Sequence, residues 1–196
     1  MLLLPSFGSA SADPVVLVIG DSLSAGFGMK TAESWPSLLE DRLAESGYAH
    51  RVVNTSISGE TTRGGATRLP AALERHGPQV VIVELGGNDG LRGIPLGEIR
   101  RNLQNMIDAS LAAGARVLLA GVYIPPNYGP AYTQGFKQIF ADLSARDEVA
   151  LLPFILEGVA LDPELMQADG IHPNSAAQPK ILDNVWPVLL PLLETP

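Results

Sequence analysis

Residues 15–19, Val-Val-Leu-Val-Ile, form an unbroken aliphatic run that stops at Gly20-Asp21-Ser22. A run this short, with no alternation of polar and apolar positions, suits a strand whose sheet is covered on both faces. Residues 80–85 read the same way and stop at Gly86-Gly87-Asn88-Asp89. Three further strands are expected at 51–54, 116–120 and 150–152. Between them the apolar spacing turns helical. A helix is expected over 35–45, with Ser34 as N-cap and Gly47 as its stop. Another covers 62–75, with Leu69, Ala72 and Leu73 on one face and Gly77-Pro78 ending it. A long one covers 96–113, with Ile99, Leu103, Met106, Ile107 and Leu111 inward and Gly114 as its end. Two more are expected at 132–146 and 175–193, the last broken or bent at its prolines. Residues 124–130 and 162–174 read mainly as loop.

Strands alternating with helices of this length imply parallel βαβ units. The expected fold class is α/β: a three-layer α/β/α sandwich around a five-stranded parallel sheet, flavodoxin-like. The chain has 196 residues, enough for one buried core, and a single domain is expected over 13–196. In open sheets of this kind, ligands bind at the carboxyl ends of the strands. Three strand ends run into polar, glycine-rich segments, 20–24, 56–61 and 86–89.

Charge and composition narrow the partners. The net charge of −8 disfavours nucleic acid, whose binding depends on neutralising phosphates with Lys and Arg. It also disfavours stable anchoring on an anionic membrane. The absence of cysteine excludes disulfides, cysteine nucleophiles and thiolate metal sites. Ala10-Ser11-Ala12 matches an A-x-A processing site with Asp13 as the first mature residue. No basic segment precedes it, so residues 1–12 are read as a signal-peptide remnant or a disordered tail.

Ser22 sits just past the first strand, where a serine hydroxyl can project into the crevice and Gly20 permits the sharp turn. An ordinary turn residue fits the same three letters. A serine needs a base to become a nucleophile, and the chain has only three histidines. His50 and His76 read as surface residues. His172 stands in Asp169-Gly170-Ile171-His172-Pro173, where one tight turn brings the Asp169 carboxylate to the imidazole Nδ1. The same pair also fits a simple turn with an exposed histidine. Gly59, in Ser56-Ile57-Ser58-Gly59-Glu60-Thr61, lets a backbone N–H approach a ligand closely. Asn88 can present its amide, and the Ser22 N–H is a third donor. Together these segments contain nucleophile, base, base-orienter and oxyanion donors.

In order and spacing, Gly20-Asp21-Ser22-Leu23, Gly59, Asn88 and Asp169-x-x-His172 resemble the four sequence blocks of the SGNH (GDSL) hydrolase family. The longer stretches 56–61, 83–93 and 169–174 resemble its bacterial periplasmic thioesterase I/lysophospholipase/arylesterase group, and the similarity runs from about residue 15 to 193. The resemblance implies a serine esterase with no metal and no cofactor. Ser22, His172 and Asp169 are implied as the triad, with Ser22, Gly59 and Asn88 as the oxyanion hole. It implies carboxylic esters and thioesters as small-molecule substrates: aryl esters, short- to medium-chain acyl esters, acyl-CoA and lysophospholipids. It also implies a mobile loop, here 90–95, that closes over acyl chains, and an acyl groove around Ile124 in Tyr123-Ile124-Pro125. Leu23, Leu91, Ile94, Tyr123, Ile124 and Pro125 are accordingly expected to contact substrate. A periplasmic or secreted monomer is expected.

Two other readings compete. One is a carbohydrate acetylesterase of the same family, against which the apolar Leu91, Ile94 and Ile124 argue. The other is a non-catalytic nucleotide- or phosphate-binding module built on Gly26-Phe27-Gly28-Met29-Lys30-Thr31. That segment fails the P-loop spacing, because Met29 stands where glycine must precede the lysine.

Overall fold

The computed structural model describes residues 13–194, so the expectations for residues 1–12 lie outside the described residues. Among these residues five strands, β1 (Val15–Gly20), β2 (Arg51–Asn54), β3 (Val80–Glu84), β4 (Arg116–Ala120) and β5 (Val149–Leu152), form one sheet. Its order is β2-β1-β3-β4-β5 and every pairing is parallel. β1 and β3 are buried along their whole length, as their aliphatic runs require.

Among the described residues, seven α-helices accompany the sheet: α1 (Ser22–Ala25), α2 (Trp35–Glu45), α3 (Thr62–His76), α4 (Gly87–Leu91), α5 (Leu96–Ala112), α6 (Pro130–Leu143) and α7 (Gln178–Leu193). The connection from β1 runs outward to the edge strand β2, whereas the later ones run the other way across the sheet. Right-handed crossovers therefore put α2 on one face and α3, α5 and α6 on the other. Packing agrees: α2 lies against α7, and α5 lies against both α3 and α6. Trp35, Leu39 and Leu43 of α2, and Ile99 and Leu103 of α5, are fully buried. Each such side chain contributes about 1.5–3 kcal/mol relative to exposure. The result is the expected three-layer sandwich. No helix among the described residues is long and apolar enough to cross a membrane.

Several boundaries differ from the sequence expectation. α6 starts at Pro130, not 132, because proline is tolerated in a first turn, and it stops at Leu143, not 146. α7 is preceded by a 3-10 turn at Ser175–Ala177 and runs unbroken through Pro187 and Pro191. Both prolines are exposed; each withdraws one helical N–H donor, from the carbonyls of Asp183 and Pro187, which are themselves exposed residues. Ser34 does stand at the N-cap of α2, but its hydroxyl donates back to the Thr31 carbonyl and caps nothing. His50 is buried, not a surface residue; its Nε2 lies 2.8 Å from Gln79 Oε1. The short helices α1 and α4 are absent from the sequence expectation; they begin two and three residues beyond the ends of β1 and β3.

Candidate active site

Ser22 is the first residue of α1, half-buried at the carboxyl end of β1. Asp21 caps this helix, its Oδ1 accepting the Leu23 N–H at 3.0 Å. The first N–H groups of a helix have no acceptor within it, so the Ser22 N–H is available to an incoming anion. Gly26 closes α1 in the left-handed conformation, φ 74°. Two contacts tie the turn to neighbouring strands. Ser24 Oγ donates to Glu84 Oε2 at 2.7 Å, and Asn54 Nδ2 donates to the Ser24 carbonyl at 2.7 Å. Gly20 pairs in register with Glu84. A Cβ on Gly20 would fall 2.8 Å from both Glu84 Oε2 and Ser24 Oγ, so only glycine leaves room for this anchoring.

His172 arrives from the loop between β5 and α7. Its Nε2 lies 2.9 Å from Ser22 Oγ, and its Nδ1 lies 2.7 Å from Asp169 Oδ2. With Nδ1 protonated and donating to the carboxylate, Nε2 keeps its lone pair toward the serine. The other Asp169 oxygen accepts the backbone N–H groups of Ile171 (2.9 Å) and His172 (3.0 Å). The His172 backbone contact, its side chain and the Ile171 N–H hold the Asp169 carboxyl down at about 2. Asn174 pins the loop from behind, its Nδ2 donating to the Glu164 carbonyl at 2.7 Å and its Oδ1 capping the following turn.

Asn88 lies in α4 at the end of β3, and its Nδ2 donates to Asp21 Oδ2 at 3.0 Å. α4 is seated by buried Asp89, which accepts the Thr62 N–H of α3 at 2.9 Å. Gly59 lies in the exposed turn after β2 with φ 79°. That turn is fixed to the end of β1 by the Ile57 N–H, 3.1 Å from the Gly20 carbonyl. Arg92 Nη2 reaches the Gly59 carbonyl at 3.1 Å and links this turn to the segment after Asn88. Segments following β1, β2 and β3 thus meet at one rim, with the β5–α7 loop over them.

Two acidic residues under the site had no role in the sequence reading. Burial pushes the Asp21 carboxyl up to about 6, against the pull of the Leu23 N–H and the Asn88 amide. Glu84 is fully buried, and burial, reinforced by the Asp21 charge, pushes it well above the usual carboxylate range. An aspartate just before a helix is a recognisable capping signal. Nothing local in the sequence marks Glu84.

The expected substrate residues divide. Leu91 and Tyr123 are exposed, Pro125 is exposed, and Leu23, Ile94 and Ile124 are half-buried against the core. Gly90 packs so closely that an added Cβ would sit 2.4 Å from Ile124 Cγ2, which brings the α4 end and the β4 loop together. Tyr123 stacks on Phe154, with ring centroids 4.2 Å apart. Tyr123 and Ile124 line a pocket of about 240 Å³ with Thr133, Gln134, Phe136 and Lys137. Ser22, Asn88 and His172 do not line it; Ile124, which packs against Gly90 of α4, does. Segment 90–95 is held by two tyrosines: Tyr128 Oη donates to the Leu91 carbonyl and Tyr132 Oη to that of Ile94, each at 2.6 Å. Within the glycine-rich segment at 26–31, Phe27 packs against the His172 ring.

The sequence and the fold have counterparts among known proteins. The model of the GDSL-like Lipase/Acylhydrolase family matches residues 18–178. Esterase TesA of Pseudomonas aeruginosa is 51% identical over 183 residues, 93% of this chain and 91% of its own. The arylesterase of Vibrio mimicus is 47% identical, covering 90% of this chain and 88% of its own. Thioesterase 1/protease 1/lysophospholipase L1 of Escherichia coli is 45% identical, covering 98% of this chain and 90% of its own. A crystal structure of TesA matches with a TM-score of 0.88 and 52% identity, covering 91% of this chain and 99% of that one.

Proposed function

The chain belongs to the GDSL-like lipase/acylhydrolase family and is an esterase of carboxylic esters and thioesters, and on that premise we propose that Ser22 is its nucleophile. The observation that carries this reading is the unbroken chain Ser22 Oγ, His172 Nε2, His172 Nδ1, Asp169 Oδ2, with contacts of 2.9 and 2.7 Å. Ser22 Oγ bonds to the carbonyl carbon while its proton passes to His172 Nε2. The carbonyl oxygen takes the negative charge and is met by the Ser22 and Gly59 N–H groups and the Asn88 amide. The bond to the leaving oxygen or sulfur then breaks; its electron pair stays on that atom, which takes the proton from His172. Water repeats the sequence on the acyl-serine and releases the acid. Asp169 keeps the imidazole in the required tautomer and balances the imidazolium.

The acyl chain is assigned to the side of Leu23, Leu91, Ile94, Tyr123, Ile124 and Pro125, where apolar surface is available. Substrates are aryl esters, short- to medium-chain acyl esters, acyl-CoA and lysophospholipids. The protein acts as a monomer in the periplasm or outside the cell, without stable membrane anchoring. Turnover of p-nitrophenyl esters by pure Ser22→Ala protein tests the core of this reading. Loss to the background rate is expected; substantial remaining turnover overturns it. An acyl series from acetyl to lauroyl, set against acetylated xylan, tests the substrate class. Preference for acetylated xylan would favour a carbohydrate acetylesterase.

A further inference from the structure

Phe27 packs on the imidazole of His172, with ring centroids 4.4 Å apart and planes tilted by 34°. It still leaves 46% of its surface exposed. A single exposed aromatic ring is ordinary by itself; its contact with the His172 imidazole sets this one apart. The backbone holds it there. Gly26 and Gly28 flank it, both with positive φ, 74° and 75°. Gln167 Nε2 donates to the Phe27 carbonyl at 2.8 Å and to the Pro173 carbonyl at 3.0 Å, joining the Phe27 loop to the loop that carries His172. The positive φ of Gly28 disfavours any side chain there, and a Cβ would fall 2.4 Å from Gln167 Oε1 and push on this bridge.

Topology places this ring on a defined side of Ser22. Phe27 precedes α2 and His172 precedes α7, the two helices that share one face of the sheet. Of the proposed oxyanion and acyl residues, Gly59, Asn88, Leu91 and Ile94 lead into α3 and α5, and Tyr123, Ile124 and Pro125 lead into α6, on the opposite face, while Ser22 and Leu23 lie in α1, just before Phe27 in the chain. The scissile carbonyl sits between the two groups. The leaving atom must approach His172 Nε2 to take its proton, so the leaving group departs on the side where Phe27 stands.

We propose that Phe27 is the wall of the leaving-group subsite and a specificity-determining residue, selecting flat, apolar alcohols and thiols over aliphatic ones. This rests on the reading of Ser22 as nucleophile and His172 as proton carrier. The free face of the ring offers offset or edge-to-face contact to an aryl group, an interaction that an alkyl group of similar size makes less well. The acyl chain, bound on the other side, does not touch it. The subsite is built from a segment, 26–28, to which the proposed acyl-binding residues contribute nothing.

The test compares phenyl butyrate and trifluoroethyl butyrate on the wild-type chain and on Phe27→Ala, Phe27→Leu and Phe27→Tyr. Both esters give the same butyryl enzyme, and kcat/KM reports the acylation step in which the leaving group departs. Concentrations are taken from active-site titration with a fluorophosphonate. Phe27→Ala is expected to lose about tenfold in kcat/KM on the phenyl ester and less than about twofold on the trifluoroethyl ester. Phe27→Leu should follow Phe27→Ala, and Phe27→Tyr should keep the wild-type ratio. Equal losses on both esters, or no loss on either, overturn the proposal, since a residue that only braces His172 would affect both alike. Failure of the fluorophosphonate to label wild-type Ser22 would instead remove the reading on which it stands. If Phe27→Ala does not fold, the ratio for Phe27→Leu decides.

Discussion

Asn88 Nδ2 donates to Asp21 Oδ2 at 3.0 Å, so the amide proposed for the oxyanion hole is aimed by the residue immediately before Ser22, the proposed nucleophile. The second Asp21 oxygen is occupied as well, accepting the Leu23 N–H that starts α1. One carboxylate thus sets two parts of the site, the serine turn and the Asn88 amide, and it does so almost entirely buried.

Asp21→Asn tests that double role. Asparagine supplies one acceptor oxygen where two are in use, so either Leu23 or Asn88 loses its partner. A fall of about 10- to 100-fold in kcat is expected, the range of a misplaced oxyanion donor, with KM changed less than about twofold. Wild-type kcat in this variant would show that Asn88 is aimed without Asp21.

The same substitution has a pH signature in stability. The Asp21 carboxyl moves from 3.8 to about 6 on folding, chiefly through burial. A raised pKa means that its contribution to stability is present below about 4 and is lost as pH rises through about 6. Asp21→Asn has no such titration. The Tm of the variant minus that of the wild type should therefore climb from pH 4 to pH 7. Asp169, held at about 2, acts in the other sense, its contribution being lost only as pH falls below about 4 toward 2. A Tm difference that stays flat between pH 4 and pH 7 would contradict the burial effect on Asp21.

Asn88→Ala removes the proposed side-chain donor. A loss on the order of 100-fold in kcat is expected on p-nitrophenyl esters. A loss below about tenfold takes Asn88 out of that role and leaves backbone N–H groups to stabilise the oxyanion.

Gly90→Ala probes the proposed acyl side. Its Cβ would stand 2.4 Å from Ile124 Cγ2 and 3.2 Å from Phe136 Cε2, so Ile124 must shift. kcat/KM for octanoyl esters should fall about fivefold more than for acetyl esters, since only the longer chain reaches that surface. An equal change across the acyl series would place the chain elsewhere.

Much of the fold was legible because its signals are local. The burial of β1 and β3 follows from their aliphatic runs. Glycines at 47, 77 and 114 mark the ends of α2, α3 and α5, each with a positive φ. The contacts among Ser22, His172 and Asp169 follow from the order of the motifs on a parallel sheet. What was missed depends on partners far apart in the chain. Glu84 reads as part of a strand until the β1–β3 register sets it opposite Gly20 and beneath Ser24. His50 reads as a turn residue until Gln79 closes over it. α1 and α4 are too short for any helical periodicity to show, and their glycines and aspartates look like loop. Phe27 lies in a segment with no apolar repeat, and only the fold brings it to His172.

The most direct test of the central claim is titration of the folded chain with a fluorophosphonate, followed by peptide mass spectrometry. One equivalent of label on Ser22, with loss of esterase activity in step and no labelling of His172→Ala under the same conditions, is the result predicted here. Folded protein that hydrolyses esters yet carries no label on Ser22, or carries it on another residue, would contradict it.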